Sequence, residues 1–332
     1  MPSTLIATLG PASSARADAL AATGVDAFRL NASHMSPEAV GEAIASLRAR
    51  LPALPIVVDL QGAKVRLGEL PAGPRDVREG ETLRFALSTG PDEADEGALP
   101  LPHAELFAAV RVGDTLGLDD DRVHVRVTAA RLGGALAFDA VALHDATIRP
   151  RKGVNLLDHP LVLEGLTSVD AAHVDAAKGF AHVSFAFSFM LDGREAAWVR
   201  ARAPGAAIVG KIERREAITA LDAIARACDT VWICRGDLGA QLGAAALARA
   251  VAALRPSELA CPTLMAGQVL EHLTNHREPT RSEVCHLHDL LCRGYAGIVL
   301  SDETAIGDDP ALAAATARSL LDALGVNDAP AL

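Results

Sequence analysis

The 332-residue chain has no run of basic residues, no long apolar segment and no C-x-x-C pair, and each absence excludes a class of protein. A net charge of −11 without clustered Lys or Arg offers no surface typical of nucleic-acid or anionic-membrane binding. The longest apolar stretches are strand-sized, well short of the roughly 20 residues that a membrane-spanning helix needs. The N-terminus, Met1 to Thr4, lacks the features of a secretory signal. Five cysteines without a pairing motif are typical of free thiols, so we expect a soluble, cytoplasmic protein.

Lysine is also scarce. Among 31 basic side chains only four are lysines, at positions 64, 152, 178 and 211. A chain this biased toward arginine keeps lysine where a compact ammonium on a flexible stem is needed and a planar guanidinium does not serve. The lysines are therefore candidate site residues.

Short apolar runs recur along the chain at intervals that fit one strand plus one helix. Near-continuous apolar strands are typical of a parallel sheet buried on both faces. Ala-rich amphipathic stretches between the runs, such as Glu38–Arg50 and Leu242–Leu254, predict the helices. Eight strands alternating with helices predict an α/β fold, a (β/α)8 TIM barrel. The runs are Leu5–Leu9, Ala27–Leu30, Ile56–Leu60, Val183–Phe189, Ala207–Ile212, Thr230–Cys234, Thr263–Ala266 and Gly297–Leu300.

The interval between Gly68 and Pro150 is far too long for a barrel loop. It alternates in strand fashion over Thr82–Leu87, Arg122–Val127 and Leu136–Leu143, and glycine-containing turns separate these stretches. We expect a small antiparallel β-barrel lid domain over residues 69–149, inserted after the third strand. The barrel domain would then comprise residues 1–68 and 150–332.

Charged and polar residues follow the predicted strands, where such a barrel has its active face. Lys211 and Glu213 end the fifth run, and strand alternation points both to the same side. Asp237 follows the sixth run within Arg235–Gly239, whose glycines allow close approach and whose helix-start amides favour an anion. Glu213 and Asp237 supply two hard oxygen ligands of the kind Mg²⁺ prefers. An ordinary barrel salt bridge for Lys211 and Glu213, and a helix N-cap for Asp237, are the alternatives.

Eight motifs, in order along the chain, resemble those of pyruvate kinases. The resemblance extends from Thr4 to about Leu324. The inserted β domain fits it, because the family carries a mobile lid at that place. The motifs are Thr8–Ser13, Arg29–His34, Asp59–Gly68, Arg151–Leu156, Lys211–Glu213, Arg235–Gly239, Pro279–Glu283 and Ser301–Pro310.

The resemblance implies transfer of phosphate from phosphoenolpyruvate to ADP, giving pyruvate and ATP, with Mg²⁺ or Mn²⁺ as cofactor. Lys211 would neutralise the transferring phosphoryl group and the enolate oxygen, and Arg29 would grip the phosphate; these are the expected catalytic residues. Glu213 and Asp237 would hold the metal, while the amides of Gly236 and Asp237 would receive the substrate carboxylate. Such a site fits phosphoryl transfer, which needs mainly positioning and neutralisation of negative charge.

The resemblance also implies a nucleotide site and a monovalent-cation site. Residues that would bind the nucleotide are Asn31, Ser33, His34, Arg66 and Lys152. Asn31, Ser33 and Asp59 match the family's ligands for a monovalent cation, but Leu60 replaces a fourth ligand, a threonine. Lys64 resembles the lysine of those members in which an ammonium substitutes for K⁺. We therefore expect Lys64 to fill the site, and K⁺ not to be required.

Three departures from the family pattern bear on function. Gly267, beside the substrate, replaces a threonine that hydrogen-bonds the substrate carboxylate, so that hydroxyl is lost and space opens. Asp302 replaces a glycine. We also expect a short form without the family's C-terminal regulatory domain, its effector site and one subunit interface. A homodimer through the barrel helices would remain available.

Three functions compete on these observations. The first is a pyruvate kinase. The second is a Mg²⁺-dependent lyase, aldolase or decarboxylase that acts on a 2-oxo acid through an enolate, and Gly267 favours it. Arg66, Lys152 and the lid favour the kinase, because only a nucleotide user needs them. The third, a non-catalytic sensor, is disfavoured because every metal and phosphate group is present.

One further cluster lies outside these motifs. Cys285, His288 and Cys292 fall on one helical face, at positions i, i+3 and i+7. Binding of a soft metal is conceivable there, but no fourth ligand is evident. We expect this face to be buried by helix packing.

Overall fold

The computed structural model describes residues 3–70, 72–88, 97–119, 122–130 and 136–325. The chain divides into two compact units, one formed by Met1–Gly62 with Gly165–Leu332 and the other by Ala63–Glu164. The second unit is wider than the predicted insert of residues 69–149. Its extra residues include two strands, at Val65–Arg66 and Gly153–Leu156, which pair with each other and so belong to its sheet. Within the described ranges, no helix is long and apolar enough to cross a membrane.

The strands are numbered in chain order. They are β1 (Thr4–Leu9), β2 (Ala27–Asn31), β3 (Ile56–Leu60), β4 (Val65–Arg66), β5 (Arg75–Val77), β6 (Thr82–Ala86), β7 (Leu99–Pro100), β8 (Thr115–Leu118), β9 (Val123–Ala130), β10 (Ala137–Ala142), β11 (Ala146–Ile148), β12 (Gly153–Leu156), β13 (Val183–Phe187), β14 (Ile208–Ile212), β15 (Thr230–Cys234), β16 (Thr263–Ala266) and β17 (Gly297–Leu300).

The α-helices follow the same convention. They are α1 (Ala17–Ala21), α2 (Pro37–Arg50), α3 (Ala104–Ala109), α4 (Ser168–Ala177), α5 (Arg194–Arg202), α6 (Arg215–Thr219), α7 (Leu221–Ala227), α8 (Arg235–Leu242), α9 (Ala244–Ala253), α10 (Arg281–Cys292), α11 (Asp302–Ala305) and α12 (Pro310–Leu324). Short 3₁₀ helices lie at Ser14–Arg16, Ala32–His34, Pro256–Glu258 and Glu271–Thr274.

The first unit is a closed barrel of eight parallel strands, in the order β1-β17-β16-β15-β14-β13-β3-β2. The predicted (β/α)8 barrel is therefore confirmed. Alternate residues of each strand point inward, because the side-chain period of a strand is two. Small and medium apolar side chains fill this interior, with Trp232 as its one large aromatic member. On β2, β3 and β14, the next inward-facing residue toward the carboxyl end is polar. These residues are Arg29, Asp59 and Lys211.

Local signals fix where several of the helices begin. Ser36 caps α2 by accepting the N–H of Ala39, and Pro37 occupies the first turn, where its missing N–H costs nothing. Thr280 and Glu283 form a reciprocal capping box at the start of α10. These caps set the first turns of two helices that flank the strand ends.

The inserted unit is a curled, largely antiparallel sheet. Seven strands follow the order β4-β12-β8-β9-β10-β6-β7, and β5 pairs with β11 in a separate ribbon. Among the described residues of this unit, β6 and β7 are the one pair of parallel strands. Phe85 and Phe138 stack with ring centroids 4.8 Å apart, and Phe107 packs against Phe138 to complete an aromatic core. The predicted insertion of an antiparallel β domain is confirmed.

The prediction that helix packing buries the face of α10 with Cys285, His288 and Cys292 is wrong. The buried side of this helix carries Leu287, Leu290 and Leu291. Cys285 and Cys292 lie on the opposite, exposed side, with Cys292 Sγ 3.5 Å from the Nε2 atom of His288. The leucines form the stronger apolar stripe, so they take the barrel side of the helix. No group of three His, Cys, Asp or Glu side chains suited to a metal occurs among the described residues.

Candidate active site

Lys211 lies at the centre of a buried polar network at the carboxyl ends of the barrel strands. Its Nζ atom is 2.9 Å from Asp59 Oδ2, 2.8 Å from Ser188 Oγ and 2.9 Å from Glu213 Oε1. An ammonium has three N–H donors, so each has one acceptor here. Burial by itself would lower the pKa of Lys211, but Asp59 and Glu213 outweigh it and raise the pKa. Lys211 is therefore a fixed, permanently charged ammonium.

Asp59 is shared between two cations. Arg29 donates to Asp59 Oδ2 from Nε at 2.7 Å and from a terminal nitrogen at 2.6 Å, while Lys211 approaches the same oxygen. The other terminal nitrogen of Arg29 donates to Thr8 Oγ1 at 3.0 Å. Burial would raise the pKa of Asp59, yet Lys211 and Arg29 hold it below its ordinary value. One carboxylate thus orients both predicted catalytic cations.

Glu213 and Asp237, the predicted metal ligands, come from adjacent strand ends. Glu213 is almost fully buried, and its Oε2 atom accepts the backbone N–H of Phe189 at 2.8 Å. Asp237 lies in the first turn of α8, directly after β15. Burial is the main cause of the raised pKa of the Cys234 thiol, and Glu213 and Asp237 both add to it. Glu213 and Asp237 thus follow neighbouring strands of the barrel, β14 and β15.

This donor set fits Mg²⁺. Carboxylate oxygens are hard ligands, and each oxygen of Glu213 has one protein partner, which leaves a lone pair for a cation. Mg²⁺ is typically held by one or two carboxylates and completes its octahedron with substrate oxygens and water. Two carboxylates at neighbouring strand ends suit that mode of binding.

Gly236, whose amide is predicted to bind the substrate carboxylate, and Gly267, predicted to lie beside the substrate, are neighbours. A Cβ built on Gly267 would lie 3.6 Å from the backbone nitrogen of Gly236. Arg235 joins their segments, because its Nε atom donates to the Gly267 carbonyl at 3.0 Å. Gly267 has φ of +77°, a left-handed conformation that glycine adopts without strain. The missing side chain therefore leaves space above the α8 amides and also permits the turn itself.

The predicted nucleotide residues Asn31, Ser33 and His34 occupy the 3₁₀ turn after β2. The Oδ1 atom of Asn31 accepts the N–H of Ser33 at 3.3 Å and so shapes this turn. Asn31 and His34 open onto a cavity of about 600 Å³ between the ends of β1 and β2, helix α2 and the segment after β17. Residues of its wall include Pro11, Arg29, Ser46, Asp302 and Ile306. Arg29, which is predicted to bind the phosphate, therefore lies in the wall of this cavity.

The other predicted cations belong to the inserted unit. Arg66 on β4 lies opposite Gly153 on β12, and Lys152 precedes Gly153, so the two are close neighbours. Lys152 Nζ pairs with Asp119 Oδ1 at 3.1 Å, and Arg149 pairs with the other oxygen of Asp119 at 2.9 Å. Burial would raise the pKa of Asp119, but Lys152 and Arg149 lower it. Lys64, partly buried, directly precedes β4 in the same unit.

Ser188 and Thr8 were not singled out from the sequence, although both contact the predicted catalytic cations. A signal existed for Ser188: it is polar, and it stands two positions after Ala186, whose side chain lines the barrel interior. Thr8 has the same relation to Ile6 on β1, and its hydroxyl donates to the Leu300 carbonyl at 2.8 Å. Inward-facing polar residues at strand ends are therefore candidate site residues even when they carry no charge.

Comparison with known proteins identifies the family of the chain. Residues 2–314 match the family described as "Pyruvate kinase, barrel domain". The chain is 34% identical to a pyruvate kinase of Agrobacterium vitis over 92% of this chain and 66% of the relative. It is 32% identical to a pyruvate kinase of Methylorubrum extorquens (96% and 67% covered) and to pyruvate kinase II of Salmonella typhimurium (96% and 69%). It spans about two thirds of the length of these relatives. The chain belongs to the pyruvate kinase family.

Proposed function

We propose that this protein transfers phosphate from phosphoenolpyruvate to ADP, with Mg²⁺ as the metal. The observation that carries the proposal is the arrangement of Arg29 and Lys211 around one oxygen of Asp59, beside the carboxylate of Glu213. Two cations and a metal-binding carboxylate converge on one point at the barrel mouth. Phosphoryl transfer needs such converging positive charge more than it needs a nucleophile or a general base.

The protein groups have separate roles in this reaction. Arg29 binds the phosphate of phosphoenolpyruvate, and the amides of Gly236 and Asp237 receive its carboxylate. Lys211 neutralises the charge that spreads over the phosphoryl oxygens and the enolate oxygen as the P–O bond breaks. Glu213 and Asp237 would hold Mg²⁺, which would supply additional positive charge to the oxygens of the substrate and the phosphoryl group. Burial of Lys211 strengthens each of its contacts, because the local dielectric is low.

The cavity beside Asn31 and His34 is the proposed place of the nucleotide. It adjoins Arg29, and its volume of about 600 Å³ lies within the range of small-molecule sites. Asn31 and His34 line it, and Ser33 lies between them in the chain. We assign Arg66 and Lys152 to nucleotide binding by family resemblance.

We also propose that K⁺ is not required. The resemblance of Lys64 to the ammonium-bearing variant carries this proposal.

A second candidate function rests on Gly267. Without a side chain at position 267, a larger 2-oxo acid has more room beside the α8 amides than a threonine would leave, so a Mg²⁺-dependent lyase, aldolase or decarboxylase is the alternative. Both reactions would pass through an enolate, whose negative charge Lys211 would neutralise. They differ in their need for a nucleotide, since only the kinase consumes ADP.

The test is an assay of pyruvate formation from phosphoenolpyruvate, coupled to lactate dehydrogenase, with and without ADP. We expect turnover that depends on both ADP and Mg²⁺ and is lost in Lys211→Met. Release of pyruvate from larger 2-oxo acids without ADP would instead support the alternative. By family resemblance we further propose a cytoplasmic location and a homodimer through the barrel helices, the latter testable by light scattering.

A further inference from the structure

We propose that Ser188 is a positioning residue that fixes the Lys211 ammonium and the Asp59 carboxylate in their reactive orientation. The inference rests on the proposed phosphotransferase function for its kinetic consequence. The hydrogen bonds that link Lys211 to Asp59 through the Ser188 hydroxyl do not depend on that function. Ser188 itself is assigned no contact with substrate.

The hydroxyl of Ser188 joins the two charged groups. Its Oγ atom accepts a hydrogen bond from Lys211 Nζ at 2.8 Å and donates to Asp59 Oδ1 at 3.1 Å. Lys211 also contacts the other oxygen of Asp59, Oδ2. A ring of hydrogen bonds therefore closes through both carboxylate oxygens, the hydroxyl and the ammonium. Such a ring fixes the rotation of the ammonium and the plane of the carboxylate together.

The backbone around Ser188 is held from two sides. Phe189 adopts φ of 55°, a left-handed conformation that is rare for an aromatic residue, and its N–H donates to Glu213 Oε2. On the opposite side, a Cβ on Gly62 would lie 2.0 Å from the Ser188 carbonyl oxygen. Only glycine allows the chain at position 62 to come so close. The turn at Ser188 is therefore wedged between the loop after β3 and the carboxylate that follows β14.

Ser188 differs in charge from the other partners of Lys211. Asp59 and Glu213 are carboxylates that fix where the ammonium lies and keep it charged. A neutral hydroxyl adds direction without adding negative charge near an incoming phosphate. Without it, one N–H of Lys211 would have no protein acceptor, and the ammonium could rotate about its last carbon–nitrogen bond.

The kinetic experiment compares Ser188→Ala with Ser188→Thr, which restores a hydroxyl. We expect kcat to fall about ten-fold in Ser188→Ala, the effect of about 1.4 kcal/mol on the barrier, while KM for phosphoenolpyruvate stays within about two-fold of wild type. Ser188→Thr should recover most of the lost kcat. The matched control is Ser184→Ala, the same change two alternations earlier on β13, where the hydroxyl donates a long hydrogen bond of 3.4 Å to the Ile56 carbonyl and to no charged group among the described residues. This control should keep wild-type kcat.

A spectroscopic readout separates this inference from the kinase assignment. With only four lysines in the chain, ¹⁵N-lysine labelling gives few side-chain ammonium signals, and Lys211→Arg identifies the one from Lys211. We expect a slowly exchanging Lys211 signal in wild type and Ser184→Ala, and its broadening or loss in Ser188→Ala, even if no kinase activity exists. An unchanged Lys211 signal in Ser188→Ala would overturn the proposal. So would an equal loss of kcat in Ser188→Ala and Ser184→Ala, or a loss that appears in KM alone.

Discussion

Lys211 and Asp59 are separated by 152 positions in the sequence, yet their charged atoms lie 2.9 Å apart in the barrel interior. Arg29 binds the same oxygen of Asp59, so two cations depend on one buried anion. A buried pair of this kind contributes little net stability when intact, but removal of one partner leaves charge without compensation. Asp59 is therefore the residue on which both the fold of the barrel mouth and its charge depend.

The first prediction concerns Asp59→Asn. This change leaves Arg29 and Lys211 side by side without an anion between them, so we expect the free energy of unfolding to fall by about 3–5 kcal/mol. Urea denaturation measures it. Asp18→Asn is the matched control, because the exposed pair of Asp18 with Arg50 is expected to contribute less than about 1 kcal/mol. Equal stability of the two variants would contradict the proposed role of Asp59.

The difference between wild type and Asp59→Asn should depend on pH in one direction. The pKa of Asp59 in the folded protein is below its ordinary value, because Lys211 and Arg29 outweigh the effect of burial. Its stabilising contribution is fully present above the unfolded pKa of about 3.9 and is lost as the pH falls through the folded pKa. The two proteins should therefore differ by a constant amount between about pH 6 and 8 and converge below about pH 4.

The main features of the fold follow from local sequence patterns, whereas the network at the site does not. Apolar runs predicted the eight barrel strands, because each is buried on both faces. The limits of the insert were missed because β4 has only two residues and carries no recognisable period. The exposed position of Cys285 was missed because an i, i+3, i+7 stripe marks a helix face without saying whether it is buried. The contacts of Asp59 on β3 with Arg29 on β2 and Lys211 on β14 could not be predicted, because these strands come together only when the barrel closes.

The second prediction concerns the metal. Asp237→Asn removes one of two proposed carboxylate ligands, so Mn²⁺ affinity, measured by electron paramagnetic resonance, should fall at least ten-fold and Mg²⁺-dependent turnover should be lost. The thermal unfolding midpoint should stay close to that of wild type, since Asp237 lies at a helix start and not in the core. Glu303→Gln is a useful control, because Glu303 is also buried at a strand end but is not a proposed ligand. Unchanged Mn²⁺ binding in Asp237→Asn would refute the ligand assignment.

The third prediction concerns Gly267. Its φ of +77° makes any side chain there unfavourable by about 1–2 kcal/mol, although an added Cβ would make only ordinary van der Waals contacts. Gly267→Ala is the control for this backbone strain, and Gly267→Thr adds a hydroxyl, a methyl group and the greater strain of a β-branched residue at positive φ. If the substrate carboxylate lies at the α8 amides, the threonine variant should bind phosphoenolpyruvate about ten-fold more tightly than the alanine variant. Weaker binding by the threonine variant would indicate a steric clash, and therefore a different substrate pose.

The fourth prediction concerns monovalent cations. If Lys64 replaces K⁺, wild-type turnover in tetramethylammonium salts should equal turnover in potassium salts. Lys64→Glu should create a requirement for K⁺. Lys178→Glu, a change of an exposed lysine on the barrel surface, should leave the salt dependence as in wild type. Strong activation of the wild-type protein by K⁺ would contradict this assignment.

The central claim is that the Asp59-centred site transfers a phosphoryl group between phosphoenolpyruvate and ADP. Phosphorus-31 NMR follows both substrates and both possible products in one sample that contains protein, phosphoenolpyruvate, ADP and Mg²⁺. The account predicts that the phosphoenolpyruvate signal decays as the γ-phosphate signal of ATP grows in equal amount, and that Lys211→Met abolishes both changes. Decay of phosphoenolpyruvate to inorganic phosphate without ATP, or no reaction while a 2-oxo acid is cleaved under the same conditions, would contradict it.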